Sequence, residues 1–157
     1  MMEIFTGLLL PCFYAVMACV AFCLVLNHHG KLMVVSSLGG GVGWAACLLC
    51  AFTGSDIVQY FAGAVAVAAY AEVMARLMKA PATGFLVVGI LPFVPGGGIY
   101  YTMEYCLSGD TELFLTTGIH TFGVAGAVAV GILLVSSITR LLREGRAPKN
   151  RHLGGEK

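Results

Sequence analysis

Charged residues are scarce in this sequence: Asp, Glu, Lys and Arg make up 11% of its 157 residues. A soluble domain is typically about a quarter charged and close to half apolar, whereas 59% of this chain is hydrophobic. The net charge of +1 lacks the basic excess of a nucleic-acid-binding protein, so we predict no nucleic-acid partner. The composition instead indicates a protein that lies in a lipid bilayer.

Motifs that carry chemistry are also missing. The sequence has no recognisable Ser-His-Asp set, metal-ligand cluster or cofactor motif, although an intramembrane enzyme needs a nucleophile with a base or a metal site. The glycine run at 96–98 is not a phosphate loop, because no GKS/T follows it and no βα unit flanks it. Most cysteines lie in apolar runs and are expected to be small packing residues. We therefore predict no enzyme, no metal and no cofactor.

Long apolar runs dominate the sequence. An apolar helix of about 20 residues crosses a bilayer, and five segments are long enough. The runs do not alternate as the strands of a barrel would. The sequence thus predicts an all-α integral membrane protein, with a five-helix transmembrane domain over 1–140 and a basic cytoplasmic tail at 141–157. The predicted spans are 4–26, 32–52, 57–78, 83–107 and 113–138.

The basic residues fix the predicted orientation. All 9 Lys and Arg residues lie near the end of, or after, the first, third or fifth span. The opposite loops carry only acidic charges, among them Asp56 and Glu112. Because cytoplasmic loops are enriched in Lys and Arg, we predict an outer N-terminus and a cytoplasmic C-terminus. An odd number of spans in this orientation is expected of the second half of an inverted-repeat transporter.

The fourth span is interrupted by "ILPFVPGGGIYY", residues 90–101. At 1.5 Å per residue, Pro92 lies roughly 15 Å into the span, near the bilayer centre and level with the glycine run at 39–43. Irregular backbone at that depth occurs only where protein covers it or where it lines a wet cavity. Transporters present such broken helices to their substrates. We therefore predict two half-helices joined by a Pro/Gly linker; a proline kink covered by neighbouring helices is the alternative.

Polar and ionisable residues near the break are the candidate site residues. Glu104 and His120 are candidates for proton coupling or for holding a charged group of the substrate, since ionisable groups within a membrane are functional candidates and histidine titrates near neutral pH. A hydrogen-bonded interior histidine is the alternative for His120. Glu72 and Arg76, four residues apart near the cytoplasmic end of the third span, form either a structural ion pair or a cytoplasmic gate. The predicted substrate-binding residues are Pro92, Pro95, Gly96, Gly97, Gly98, Tyr100, Thr117 and Thr121.

Several of these stretches resemble a known family. "YAEVMARLMKAPATGFL" and "ILPFVPGGGIYYTME" resemble the short, C-terminal-half type of the threonine/serine exporter family, and "SLGGGVGW" and "HTFGVAGAVAVGILL" fit the same pattern. The resemblance covers essentially the whole chain. It implies export of small polar metabolites, threonine and serine foremost and dicarboxylates as an alternative, by proton antiport across the cell membrane.

The resemblance also implies a partner. Members of this family carry two membrane halves, either in one long protein or as separate subunits, and this chain is similar to the smaller subunit. A hetero-oligomer with a larger membrane subunit of the same family is therefore expected. Two alternatives are open: a homo-oligomeric carrier, and a non-transporting membrane scaffold that stabilises a partner.

Overall fold

The structure, a computed structural model, describes residues 9–144. Within that range the chain consists of helices and short connections, with no strand, so the all-helical prediction is confirmed. The helices are α1 (Leu10–Val25), α2 (Lys31–Leu49), α3 (Asp56–Met78), α4 (Ala82–Ile90), α5 (Gly96–Ser108) and α6 (Thr111–Glu144), and two short 3₁₀ turns occupy Ala51–Thr53 and Leu91–Phe93.

The described helices provide three to four candidate membrane spans. Helix α2 with its 3₁₀ turn, helix α3 and helix α6 are each long and apolar enough to cross a bilayer, and α4 and α5 satisfy the same test as a bent pair. Helix α1 is apolar but has 16 described residues; the predicted start of its span, residues 4–8, lies outside the described range. The fifth span, the orientation and the inverted repeat stay predictions.

The connection between α5 and α6 is set by two local residues. Helix α5 ends at Ser108, and its C-cap residue Gly109 has a left-handed φ of 79°, a conformation that costs glycine little. Asp110 Oδ1 accepts a hydrogen bond from the Leu113 N–H at 3.1 Å and so caps α6. Helix α6 continues to Glu144, past the predicted end of the span at 138. The rest of the predicted tail lies outside the described residues.

Helix α2 is the centre of the bundle and packs against α1, α3 and α4. Small residues permit this close approach: a Cβ placed on Gly89 of α4 would lie 3.5 Å from the carbonyl carbon of Gly39. The thiol of Cys19 on α1 donates a hydrogen bond to the Val88 carbonyl oxygen at 3.3 Å. Membrane helices commonly pack through such small residues. The cysteine and glycine positions named here are thus packing positions.

Helix α6 packs against α3 and α5. A Cβ on Gly131 would lie 3.1 Å from the Cβ of Ala64, and a Cβ on Gly123 would lie 3.2 Å from the Cδ1 of Ile57. The small-residue face of α6 therefore contacts α3. Many large apolar side chains elsewhere point outwards, including Leu107 at 90% exposure, as expected of a surface in contact with lipid or another membrane subunit.

Candidate functional site: the helix break

The Pro/Gly segment separates α4 from α5. Helix α4 ends at Ile90, the 3₁₀ turn Leu91–Phe93 follows, and α5 starts at Gly96 with a bend of 49° between the two helices. Pro92 lies in the turn and Pro95 is the residue that precedes α5. The predicted break between two half-helices is therefore confirmed.

The first turn of α5 leaves backbone donors free. The N–H of Gly96 donates to the Val94 carbonyl at 2.7 Å and that of Ile99 to the Pro95 carbonyl at 3.0 Å. Between them, the N–H groups of Gly97 and Gly98 have no hydrogen-bond partner in the part of the chain that the structure describes. Such groups carry the partial positive charge of a helix N-terminus. Polar atoms are thus presented at the centre of an apolar segment.

One side of the break is open. A Cβ added to Gly96 or to Gly97 would meet no atom within 4 Å, and both residues are exposed. We call this face of Gly96 and Gly97 the open side of the break. Because unpaired backbone donors are costly in hydrocarbon, protein or a polar solute is expected to cover this side in the membrane.

The opposite side is filled by Phe93. Its fully buried ring lies 5.6 Å from the ring of Trp44 and 6.1 Å, edge-on, from that of Tyr60. Two glycines make room for it: a Cβ on Gly43 or on Gly63 would lie 2.9 Å from a Phe93 ring carbon. This aromatic anchor fixes the break to α2 and α3. On this side the break is covered by neighbouring helices, as in the alternative of a covered proline kink.

Sequence reasoning missed the aromatic anchor, although Phe93 stands between the two prolines of the motif. The prolines and glycines of this segment indicate a special backbone. An apolar side chain within an apolar run, by contrast, does not stand out from its neighbours. The predicted depth placed the break level with residues 39–43, and the contact between Phe93 and Gly43 bears out that argument. The available signal was that a large aromatic residue and glycines of a neighbouring helix have the same predicted depth in the membrane.

A groove of about 530 Å³ runs between α5 and α6 beside the break. Its two hydroxyls are already used: Thr102 donates to the Gly98 carbonyl and Thr121 to the Thr117 carbonyl, each at 2.7 Å. The groove is thus suited to apolar contact. Its lining residues are Phe93, Val94, Pro95, Ile99, Thr102, Met103, Gly118, Thr121, Phe122, Ala125 and Val128.

Of the predicted substrate residues, Gly98 and Thr121 are in contact. Thr121 is 8% exposed, and a Cβ on Gly98 would overlap its Oγ1 and lie 3.2 Å from its Cβ. Thr117 is joined to this contact through its carbonyl oxygen. The start of α5 is therefore pressed against α6 on one side, while its other side is open.

Tyr100 and Glu104 are on a different face of α5. Each lies two residues, or about 200° of helix rotation, beyond Gly98 or Thr102, which contact α6. Both are exposed, and the Tyr100 ring packs edge-on against Tyr101 at 5.4 Å. The structure therefore does not bring Glu104 to His120.

His120 instead has a partner on α3. Its Nε2 lies 3.6 Å from the Oδ2 of Asp56, with side-chain exposures of 54% and 60%. Asp56 is the first residue of α3, and the contact of Ile57 with Gly123 holds this end of α3 against α6. In the sequence Asp56 stands out only as one of the acidic charges opposite the basic loops, so the pair was not predicted.

The other predicted ion pair lies at the far end of α3. Arg76 Nη2 is 3.8 Å from Glu72 Oε2, and both line a cleft of about 540 Å³ between the end of α3 and the start of α4. Within residues 9–144, no group of three His, Cys, Asp or Glu side chains is placed to hold a metal ion.

Comparison with known proteins assigns the family. Searches of curated proteins and of solved structures gave no match. The family model described as "Threonine/Serine exporter, ThrE" matches residues 11–138, which include the break and most of every described helix. This confirms the resemblance and supports an exporter-type transport role in a multi-pass membrane protein. The chain belongs to the threonine/serine exporter family.

Proposed function

We propose that this chain is one subunit of a secondary-active exporter of small polar metabolites, threonine and serine foremost. The observation that carries the proposal is the family match over residues 11–138, with the open helix break inside it. The subunit would lie in the cytoplasmic membrane with its N-terminus outside. Broken helices of this kind form midplane substrate sites in other transporters.

The break would bind the carboxylate of the solute. The free N–H groups of Gly97 and Gly98 attract an anion, since helix N-termini are natural anion sites. Gly96 and Gly97 carry no side chain, so a solute can approach the backbone closely. Pro92 and Pro95 hold the two half-helices apart, because neither can continue a helical hydrogen-bond ladder.

A larger subunit of the same family would complete the site. The groove beside the break is apolar and its hydroxyls are satisfied, so the described residues supply few polar contacts for the rest of a solute. Tyr100 and Glu104 face away from α6 and are exposed, which leaves them free to contact a second membrane half. Two such halves in opposite orientation would form an inverted-repeat carrier.

Proton coupling is assigned in this proposal to His120 together with Asp56, with Glu104 as a separate candidate. Asp56 is the titratable group that faces His120 from α3. Helix α5 meets α6 through Gly98 and Thr102, which do not titrate. Thr121, the residue after His120 on α6, contacts Gly98, so the proposed coupling residue and the contact with the break are consecutive along α6.

Efflux from proteoliposomes tests the proposal. Vesicles loaded with labelled threonine carry this chain alone, the larger subunit alone, or both, and a proton gradient is imposed. We expect efflux from the combination only, with competition by serine. Efflux from this chain alone would establish a homo-oligomeric carrier, and equal efflux from the larger subunit with or without this chain would establish the scaffold. Competition by a dicarboxylate but not by serine would show that the exporter carries dicarboxylates instead of threonine and serine.

A further inference from the structure

The cleft between α3 and α4 differs in character from the groove at the break. Its volume of about 540 Å³ lies within the range of about 300–1,000 Å³ typical of small-molecule sites. Three of its seven lining residues are charged: Glu72, Arg76 and Lys79. It is on the side of the chain predicted to face the cytoplasm, from which an exporter takes its substrate.

The pairing of Glu72 with Arg76 leaves most of their hydrogen-bonding capacity unused. Their single contact is 3.8 Å long, whereas a guanidinium has five N–H donors and a carboxylate about four acceptor positions. Exposed pairs four residues apart on a helix contribute little to stability. Stabilisation by a structural ion pair is therefore a weak explanation for the presence of these two charged residues.

Lys79 adds a second cation in an unfavourable backbone conformation. It is the C-cap of α3 with φ 52° and ψ 38°, a left-handed position where glycine is the usual residue. A non-glycine residue in this conformation is strained, because its Cβ comes too close to the following carbonyl oxygen. Arg76 already supplies a cation in the last turn of α3, so the helix dipole alone does not require Lys79. Its side chain lines the cleft.

We propose that this cleft is a binding site for a zwitterionic amino acid at the cytoplasmic mouth of the exporter. The carboxylate lies between Arg76 and Lys79, and the ammonium group contacts Glu72. A dicarboxylate would leave Glu72 facing a like charge, so the site selects for zwitterions. This inference rests on the proposed function and deepens it, because it names a second substrate contact outside the break.

The position of α4 links the two sites. Helix α4 has 9 residues and is thus about 13 Å long, with the cleft at its first residue and the break after its last. A solute that leaves the cleft along α4 reaches the break within one helix length. The cleft is therefore the first of two binding sites along one path of the solute.

The test is the Michaelis constant for threonine at the cytoplasmic face of proteoliposomes that contain the assembled exporter. The main variant is Lys79→Gly, which removes the ammonium but suits the left-handed backbone, so folding is preserved. We expect its Michaelis constant to rise about tenfold or more, as for loss of one charge-assisted hydrogen bond, with the maximal rate kept. Arg76→Gln should raise the Michaelis constant in the same way. N-acetylthreonine, which lacks the ammonium group, should not compete with threonine in the parent protein.

Lys31→Gln is the matched control, since Lys31 is an exposed cation of the same predicted side at the start of α2 but does not line the cleft. Lys79→Gly with the parent constant, or an equal rise in Lys31→Gln, would overturn the inference while the proposed function stands. A rise that appears only in vesicles with anionic lipid would assign the cleft to a lipid headgroup and overturn it too. Absence of threonine transport by the parent would instead refute the proposed function.

Discussion

The substitution Gly98→Ala measures how firmly α5 is held against α6 at the break. The new Cβ would lie 3.1 Å from the Cγ2 of Thr121, 3.2 Å from its Cβ, and in overlap with its Oγ1. Thr121 cannot simply rotate away, because its hydroxyl donates to the Thr117 carbonyl at 2.7 Å. The substitution thus either separates the helices or breaks that hydrogen bond.

The expected cost follows from these contacts. Overpacking of a close contact costs about 1–3 kcal/mol, and alanine returns up to about 1 kcal/mol through its helix propensity. We expect a net loss of about 1–2 kcal/mol in the free energy of unfolding, measured by titration of the detergent-solubilised protein with a denaturing detergent. Gly97→Ala is the matched control one residue earlier. Its Cβ meets nothing within 4 Å, so its stability should be unchanged or slightly higher.

A double-mutant cycle identifies the contact. In a Thr121→Ala background the Oγ1 and Cγ2 atoms are absent, so the cost of Gly98→Ala should fall by about 1 kcal/mol, within the range seen for residues in contact. Equal stabilities for Gly98→Ala and Gly97→Ala would refute the packing described here. So would a cost that is the same with and without the Thr121 side chain.

Two further predictions concern the side chains around the break and the pair on α3 and α6. Phe93→Ala should lower the free energy of unfolding by about 3 kcal/mol, because it empties the space between Trp44 and Tyr60, and Phe93→Leu should cost much less; equal stability of Phe93→Ala and the parent would contradict the aromatic anchor. Asp56→Asn and His120→Gln should each change the pH dependence of threonine efflux, and the double variant should match the single ones. Parent-like profiles in both single variants would remove the pair from the coupling step.

The sequence predicted the break and the helix ends because both depend on local residues. Pro92 and Pro95 cannot be accommodated in a continuous hydrogen-bonded helix, and separators such as the one at Gly109–Asp110 contain residues that end or cap helices. These are properties of a few neighbouring positions. They do not depend on how the helices are arranged in three dimensions.

The surroundings of each side chain were not predictable in the same way. The sequence predicts Glu104 and His120 as candidates for proton coupling but does not show what either contacts. His120 lies beside Asp56, because tertiary packing decides which faces of α3, α5 and α6 come together. In apolar membrane helices the usual polar and apolar stripes are absent, so the sequence gives little sign of which face is buried. Phe93 was overlooked for the same reason.

The central claim is that the open side of the break lies on the path of the solute, and the same substitution at two open glycines tests it most directly. Neither Gly97 nor Gly126 has an atom within 4 Å of an added Cβ, but Gly97 is at the break and Gly126 is on α6. Threonine export by the assembled exporter should be abolished by Gly97→Leu and kept by Gly126→Leu, with membrane insertion intact in both. Parent-level export by Gly97→Leu, or equal loss in the two variants, would contradict the account.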